Sequence, residues 1–254
     1  MSSSTKEIKK NKFVEFLKSF TLYQIIYLVT VVALVAVFSI FLPDEMLEDT
    51  SNTFVVVCSV IAVLANPVCE LMISKQSKWN FIVSIIFIEV TEAILYFSLG
   101  WYASAFISIL FWIPIDTISF INWDKHKDEN DEILTKVKKL TWVQDLIIVV
   151  AILAFGFGVG YILNLIPGAE DSYIEAIWSA VGMANGLLLL FRYNEQWFAW
   201  IIYLAIEAIL YIMSGSYIML ITTFAMTVNT VYGFVKWILY IRAKNKDKQV
   251  AGNK

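Results

Sequence analysis

The sequence has little charge, few glycines and prolines, and a single histidine. Of its 254 residues only 16% are charged, whereas 59% are hydrophobic. A soluble domain of this composition could not cover its apolar core with polar surface, so soluble globular classes are excluded. Ten glycines and four prolines leave long apolar runs uninterrupted. The composition therefore predicts an all-α integral membrane protein.

Residue patterns of soluble enzymes are missing as well. His126 lies in a charged stretch, and Cys58 and Cys69 lie inside one apolar run, as is typical of small buried hydrophobic residues. There is no Walker loop, no dinucleotide-binding glycine pattern and no zinc-ligand spacing. We therefore expect neither an enzyme nor an ATP-driven pump, with no cofactor, no metal and no nucleic-acid partner.

Eight apolar segments are long enough to cross a bilayer. At about 1.5 Å per residue, each can span a hydrocarbon core about 30 Å thick. They cover residues 21–42, 54–73, 79–98, 102–122, 142–166, 173–191, 196–213 and 217–240. The sequence thus predicts eight transmembrane helices.

The basic residues all fall on one side of this eight-span arrangement. All 19 lysines and arginines lie on the side that holds the tail 1–20, the 74–78 turn, the loop 123–141, the 192–195 turn and the tail 241–254. The other side carries only acidic residues, namely Asp44, Glu45, Glu48, Asp49, Glu170 and Asp171. The positive-inside rule then predicts a protein of the cell membrane with both termini in the cytoplasm.

Three short patterns occur once in each half of the sequence. They are T-x-x-Q at Thr21 and Thr141, a Trp-containing pair at Lys78–Trp79 and Gln196–Trp197, and EAILY at 92–96 and 207–211. The offset between copies drifts only from 120 to 115. Because each half has an even number of spans, the halves form a parallel repeat, and transporters of this kind bind substrate near mid-membrane. Channels are also built from repeats, so the repeat alone leaves the mechanism open.

The seventh segment carries an unusual stripe. Spacings of three and four residues place on one helix face Trp197, Trp200, Leu204, Glu207 and Tyr211. A carboxylate at the bilayer centre costs about 2.5–3.5 kcal/mol, so this face should contact protein, water or a ligand. Indoles there can stack on a flat ring, worth about 1–3 kcal/mol per base.

Other polar residues are expected at similar depth. Asn229 reaches the same level as Glu207, and the two are predicted to recognise polar groups of a substrate. Glu89 and Glu92 occupy the matching depth in the first half, Asp116 and Asn185 are further candidates, and Glu70 and Asp145 lie nearer the cytoplasmic surface. Interhelical bonding, substrate binding and proton relay all stay open for them.

The residues around this stripe resemble the PnuC-type vitamin transporter family, which includes nicotinamide riboside transporters. The resemblance rests on RYNEQWFAWI from Arg192, which contains Glu195-Gln196-Trp197 and the pair Trp197 and Trp200, and on Asn229 with Trp237. It covers roughly residues 54–240 and is weaker in the first half.

The resemblance implies a SWEET-like fold. Two three-helix bundles, 54–122 and 173–240, would be joined by a linker helix, 142–166, with an extra N-terminal helix at 21–42. It also implies a homotrimer that takes up nicotinamide riboside down its gradient, with trapping by phosphorylation in the cytoplasm. Thiamine, riboflavin or a deoxynucleoside as substrate, and proton-coupled transport, are the alternatives; we expect no proton coupling.

Further pocket residues follow from the resemblance. They are Gln196, Trp79, Tyr211, Tyr96 and Ser108, which stands where the family has a glutamine. The start of the third span, Trp79-Asn80-Phe81, departs from the family pattern. Arg192 and Glu195 flank the 192–195 turn and are predicted to pair at the cytoplasmic gate.

Overall fold

The computed structural model describes residues 21–41, 53–98, 100–128, 134–165, 172–215 and 217–252. Within these ranges the protein is built of helices, with two isolated β-bridges in loops. The helices are α1 (Leu22–Phe41), α2 (Thr53–Ser74), α3 (Asn80–Ser98), α4 (102–124), α5 (Trp142–Leu163), α6 (Ser172–Leu190), α7 (Gln196–Ser214) and α8 (Tyr217–Gly252).

Seven helices, α2 to α8, are long and apolar enough to cross a membrane. The first predicted span, 21–42, corresponds to α1, a helix of 20 residues. The tail 1–20 and the acidic residues used to predict orientation lie outside the described residues. The prediction of a helical membrane protein with several spans is confirmed, which is a coarser statement than the predicted eight transmembrane helices.

The two T-x-x-Q patterns mark helix starts. At α1 the Thr21 amide donates to Gln24 Oε1 over 2.9 Å, and at α5 the Thr141 amide donates to Gln144 Oε1 over 2.9 Å. Such capping boxes satisfy backbone amides that the first helical turn leaves without partners. The predicted starts are therefore correct in both places.

The tight turns after α2 and α6 have the same backbone pattern. In each, a residue with positive φ and its successor donate main-chain hydrogen bonds back to the preceding helix. These pairs are Gln76 (φ 57°) with Ser77, and Arg192 (φ 63°) with Tyr193. We call this end of the bundle the lysine side, because its loops carry Lys75, Lys78, Lys136, Lys138 and Lys139.

This match corrects the register predicted for the two halves. With Gln76 level with Arg192, Phe81 is level with Trp197, and Trp79 is level with Glu195 rather than with Trp197. The predicted pairing of Lys78–Trp79 with Gln196–Trp197 is wrong by two residues.

Two π-helical turns interrupt the first half. They are Ile85–Glu89 in α3 and Ser108–Trp112 in α4. A π turn accommodates one extra residue and redirects the side chains that follow it. Eleven residues separate Phe81 from Glu92, whereas ten separate Trp197 from Glu207. The π turn in α3 thus absorbs the one-residue difference between the EAILY copies.

Helix packing surrounds a central space. Helix α2 packs against α8, and α6 packs against α7. Helices α3 and α4 pack against each other, α3 also packs against α2, and α4 also packs against α6. Helix α1 contacts α2 and α8, and α5 contacts α6. Most side chains of α5 are exposed, so α5 is a peripheral helix with a broad apolar outer face.

Candidate functional site

A cavity of about 70 Å³ lies between the packed helices, part way along their length. This space can hold several water molecules. Its aromatic wall consists of Trp112, Trp197, Trp200, Tyr203 and Tyr211. Amide and hydroxyl side chains complete it, from Asn66, Asn80, Ser84, Asn185, Gln196, Thr222 and Thr223. Rings and hydrogen-bonding groups together are typical of sites for flat polar solutes.

Five carboxyl groups also face this cavity, and no Lys, Arg or His occurs among the described residues that line it. They belong to Glu70, Glu89, Glu92, Asp116 and Glu207, all buried or half-buried. An ionised carboxylate in such surroundings is costly unless donors or a cation compensate it. The site therefore favours protonated carboxyls or a positively charged solute.

Glu70 connects three helices through two hydrogen bonds. Its Oε1 accepts from the Thr230 hydroxyl over 2.6 Å, and its Oε2 accepts from Trp200 Nε1 over 2.9 Å. A residue of α2 thereby holds both α7 and α8. This contact also fixes the orientation of the Trp200 indole.

Two further carboxyl groups accept hydrogen bonds, Glu92 on both of its oxygens and Glu207 on one. Glu92 accepts from Asn66 Nδ2 over 2.5 Å and from the Tyr96 hydroxyl over 3.1 Å. Glu207 accepts from the Thr223 hydroxyl over 2.8 Å. These bonds stabilise the carboxyl groups where they lie.

Trp200 and Tyr203 form a parallel stack at the cavity wall. Their ring centroids are 4.7 Å apart and their planes differ by 4°. The predicted stripe therefore continues from Trp200 to Tyr203 and then Glu207, not through Leu204. Leu204 is buried but does not line the cavity.

An aromatic cluster closes the cavity on the lysine side. This lysine-side cluster consists of Phe81, Trp123, Trp197 and Trp237. Phe81 meets Trp123 edge-on at 5.0 Å, and Trp197 meets Trp237 edge-on at 5.5 Å. Each contact joins one residue at the start of a helix to a tryptophan further along the chain in the same half.

Two indole hydrogen bonds tie this cluster across the halves. Trp123 Nε1 donates to the Leu189 carbonyl over 2.9 Å, and Trp237 Nε1 donates to the Ile73 carbonyl over 3.2 Å. Leu189 and Ile73 occupy matching positions, each three residues before the residue of positive φ. The cluster thus repeats the same contacts in both halves.

A second aromatic cluster closes the opposite end. This far-side cluster consists of Tyr96, Trp101, Trp178 and Tyr211. Trp101 lies 5.9 Å from Tyr96, 5.7 Å from Trp178 and 5.6 Å from Tyr211, measured between ring centroids. The cavity therefore lies between two clusters of packed rings, and Trp197 and Tyr211 are the members that line its wall.

A smaller chamber of about 20 Å³ adjoins the main cavity. Tyr96 and Ser108 line this chamber and not the main cavity, and Glu92, Trp112 and Tyr203 line both. Of the predicted pocket residues, five do line the main cavity. They are Trp197, Trp200, Gln196, Glu207 and Tyr211.

Two predicted pocket residues lie elsewhere. Trp79 is 53% exposed on the lysine side and packs edge-on against Phe120, because the corrected register turns it away from the cavity. Asn229 is fully buried but is not part of the cavity wall, and neither of its amide atoms has a partner among the described residues.

The predicted pair between Arg192 and Glu195 is not formed. Glu195 Oε2 accepts the Leu140 amide over 3.1 Å, and the Arg192 carbonyl accepts the Lys138 amide over 2.9 Å. The turn therefore holds the loop of residues 134–140 instead. Burial raises the pKa of Glu195 and lowers that of Arg192.

The other described end of the loop 123–141 is tied to α8. Asp128 accepts from Lys244 Nζ over 2.9 Å and from the Tyr240 hydroxyl. The described ends of the loop 123–141 thus bridge the 192–195 turn and the extension of α8 beyond its apolar part.

Sequence reasoning left several cavity residues out of the predicted pocket. Tyr203 continues the three-residue spacing of Trp197 and Trp200, which is a signal available in the sequence. Asn66, Ser84 and Thr223 carry no such signal, because each contacts a carboxyl on another turn or another helix.

A family model described as nicotinamide mononucleotide transporter matches residues 56–239. A protein named nicotinamide riboside transporter PnuC from Neisseria mucosa is 22% identical over 240 residues, which cover 90% of this chain and 85% of that protein. One of the same name from Haemophilus influenzae is 21% identical over 199 residues, covering 74% and 81%.

A solved structure has the same fold. The crystal structure of the vitamin B3 transporter PnuC superposes with a TM-score of 0.73 at 21% identity, covering 89% of this chain and 94% of that one. The family model spans well over half of the sequence. The chain therefore belongs to the nicotinamide mononucleotide transporter family of membrane transporters.

Proposed function

We propose that this protein is a facilitator for uptake of nicotinamide riboside across the cell membrane. The solute would move down its gradient and be trapped by phosphorylation in the cytoplasm. The names of the two relatives support this substrate. The aromatic and acidic cavity supports it independently.

The observation that carries the proposal is the combination of stacked rings and carboxyl groups in one cavity without a basic residue among its described lining. Nicotinamide riboside has a flat pyridinium ring with a fixed positive charge and a sugar with several hydroxyls. A ring stacked on Trp200 gains about 1–3 kcal/mol, and its positive charge adds a cation–π contribution. Thiamine is also a heteroaromatic cation and is the second candidate, whereas riboflavin and deoxynucleosides are neutral.

Substrate contacts follow from the positions of the lining side chains. Trp200 and Trp197 would stack with the ring, and Glu207 and Gln196 would contact polar groups. Tyr211 lies at the far end of the cavity, and Tyr96 and Ser108 would contact a group that enters the side chamber. Asn229 would act behind the wall rather than at the substrate.

We also propose a SWEET-like architecture of eight spans in two parallel repeats. Helices α2–α4 and α6–α8 would be the bundles, α5 the linker and α1 an extra helix. The matching capping boxes of α1 and α5 support this, as do the matching turns and the paired indole bonds of Trp123 and Trp237. A parallel repeat places the substrate between the halves.

Transport would proceed by alternate opening of the two aromatic clusters. The lysine-side cluster would face the cytoplasm together with both termini, as the positive-inside rule suggests. The 192–195 turn, held by the loop through Glu195 and Leu140, would move with this gate. We propose that the protein has no enzymatic activity and that its transport is not coupled to protons. We also propose that it forms a homotrimer, in which α5 lies at the periphery or at the interface between subunits.

Uptake into proteoliposomes tests the function. The panel is labelled nicotinamide riboside, thiamine, riboflavin and deoxyuridine. We expect the two cations to enter, nicotinamide riboside fastest, without an ion gradient and with no loss when an uncoupler is added. Entry of the neutral solutes alone, or of none above the rate in empty liposomes, would refute the proposal.

A tryptophan pair provides the matched control. Trp200→Ala should lower uptake of nicotinamide riboside by about tenfold to a hundredfold, the equivalent of losing one stacking contact. Trp142→Ala removes an indole that is 76% exposed and should leave uptake unchanged. Equal effects of the two substitutions would exclude Trp200 from the substrate site.

A further inference from the structure

Two carboxyl oxygens at the cavity wall lack a hydrogen-bond partner among the described residues. They are Glu89 Oε2 and Asp116 Oδ2. Both residues are buried, with 5% of Glu89 and 4% of Asp116 exposed. The Ser84 hydroxyl donates to Glu89 Oε1 over 2.9 Å and also interacts with Asp116. Ser84 thus lies beside both acids, and all three side chains line the same cavity.

The backbone places these acids by an irregularity of the first half. Glu89 is the last residue of the π turn in α3, and Asp116 follows the π turn in α4 by one helical turn. The described parts of α7 and α8 contain no π turn. π turns occur often at functional sites because they redirect side chains.

The second half has no acid at either matching position. Counting back from Glu92 and Glu207, Glu89 is level with Leu204. Counting back from Trp123 and Trp237, Asp116 is level with Thr230. The pair is therefore a feature of one wall of the cavity and not a product of the repeat.

Every other titratable group that faces the pair is acidic or neutral. In the described wall of the cavity these are Cys69 and Glu70 from α2, Glu92 from α3, and Tyr203, Glu207 and Tyr211 from α7. The carboxyls among these have donors of their own, from Trp200, Thr230, Asn66, Tyr96 and Thr223. Two adjacent buried acids do not both ionise without compensation, so a proton or a cation must occupy the place between them and the cavity.

We propose that Glu89 and Asp116 are specificity-determining residues that select a positively charged ring over a neutral ring of the same shape. This rests on the function proposed above. The pair keeps one shared proton and one negative charge throughout, so a cationic solute gains a charge interaction there without moving a proton, whereas a neutral solute gains none.

A pair of substrates that differ mainly in charge tests this. Nicotinamide riboside carries a pyridinium charge, and its reduced dihydro form is neutral with nearly the same shape. Proteoliposomes with the wild-type protein should take up the cation with at least about tenfold higher kcat/KM, the equivalent of about 1.4 kcal/mol. Equal uptake of both forms by the wild type would overturn the proposal without any variant.

The variants are Glu89→Gln, Asp116→Asn and the double substitution. Each should lower uptake of the cation and leave uptake of the dihydro form within about twofold, so that the neutral substrate reports folding. Glu175→Gln is the matched control, because this buried carboxyl accepts bonds from Ser104 and does not line either cavity. Its substrate preference should be that of the wild type.

Two other outcomes are decisive. Loss of both substrates by the same factor in the variants, with detergent-purified protein that melts at the wild-type temperature, would overturn the proposal and leave the transporter function standing. Wild-type vesicles that take up neither substrate would overturn the proposed function itself.

Discussion

Gly233 lies in α8 directly against the indole of Trp197. A Cβ atom added at this position would lie 2.3 Å from Cη2, 2.5 Å from Cζ2 and 2.8 Å from Cζ3 of Trp197. Real Cβ contacts are longer than 3.0 Å, so the ring must move. Trp197 is 1% exposed and packed edge-on against Trp237, which leaves it no room to do so.

Gly233→Ala should therefore destabilise the protein and impair transport. Overpacking a well-packed core costs about 1–3 kcal/mol, and the short distances to the Trp197 ring place this substitution in the upper part of that range, at about 2–3 kcal/mol. Alanine regains up to about 1 kcal/mol of helix propensity, so we expect a net loss of about 1–2 kcal/mol. At about 2–4 °C per kcal/mol, Tm should fall by roughly 2–8 °C. Uptake should also fall, because Trp197 lines the cavity.

The measurement is thermal unfolding of purified protein in detergent, followed by intrinsic tryptophan fluorescence, beside uptake in proteoliposomes. Gly158→Ala is the control. It is also a glycine within a helix, α5, but a Cβ there meets nothing within 4 Å, so its Tm should stay level or rise. If both variants gave the same Tm, the close packing of Trp197 on Gly233 would be refuted.

Two further predictions concern the carboxyl groups of the loop contact and the cavity. Glu195→Gln keeps an acceptor for the Leu140 amide and removes a carboxyl whose pKa burial raises. Such a carboxyl supports the fold below its ordinary pKa of about 4.3 and loses that contribution as pH rises through the raised pKa, so the variant should match the wild type in acid and exceed its Tm at neutral pH. Parallel pH profiles of Tm would contradict this. Glu70→Ala leaves Trp200 Nε1 without an acceptor, at about 1–3 kcal/mol, while the Thr230 hydroxyl keeps the Met226 carbonyl as its acceptor. The variant should lower Tm and raise KM for nicotinamide riboside, with Glu70→Gln intermediate. An unchanged KM in the alanine variant would show that Glu70 does not position the indole.

Sequence periodicity was sufficient to predict the helices, but not to align the two halves of the chain residue by residue. The T-x-x-Q patterns identified the starts of α1 and α5, since a capping box is a local interaction within four residues. The match of Trp79 with Trp197 failed because the register of the halves depends on turn geometry at Gln76 and Arg192. Neither positive φ angle is signalled by a glycine.

The sequence by itself determined that this is a helical membrane protein with a carboxylate and two indoles on one helix face, because apolar length and helical spacing are properties of single segments. The tertiary structure decided which of the acids share one cavity and that Glu70 accepts the hydrogen bond of the Trp200 indole. It also decided that Glu195 bonds to the loop at Leu140 and does not pair with Arg192. Those outcomes depend on contacts between helices far apart in the chain and on two π turns, each of which shifts a helix face by one residue.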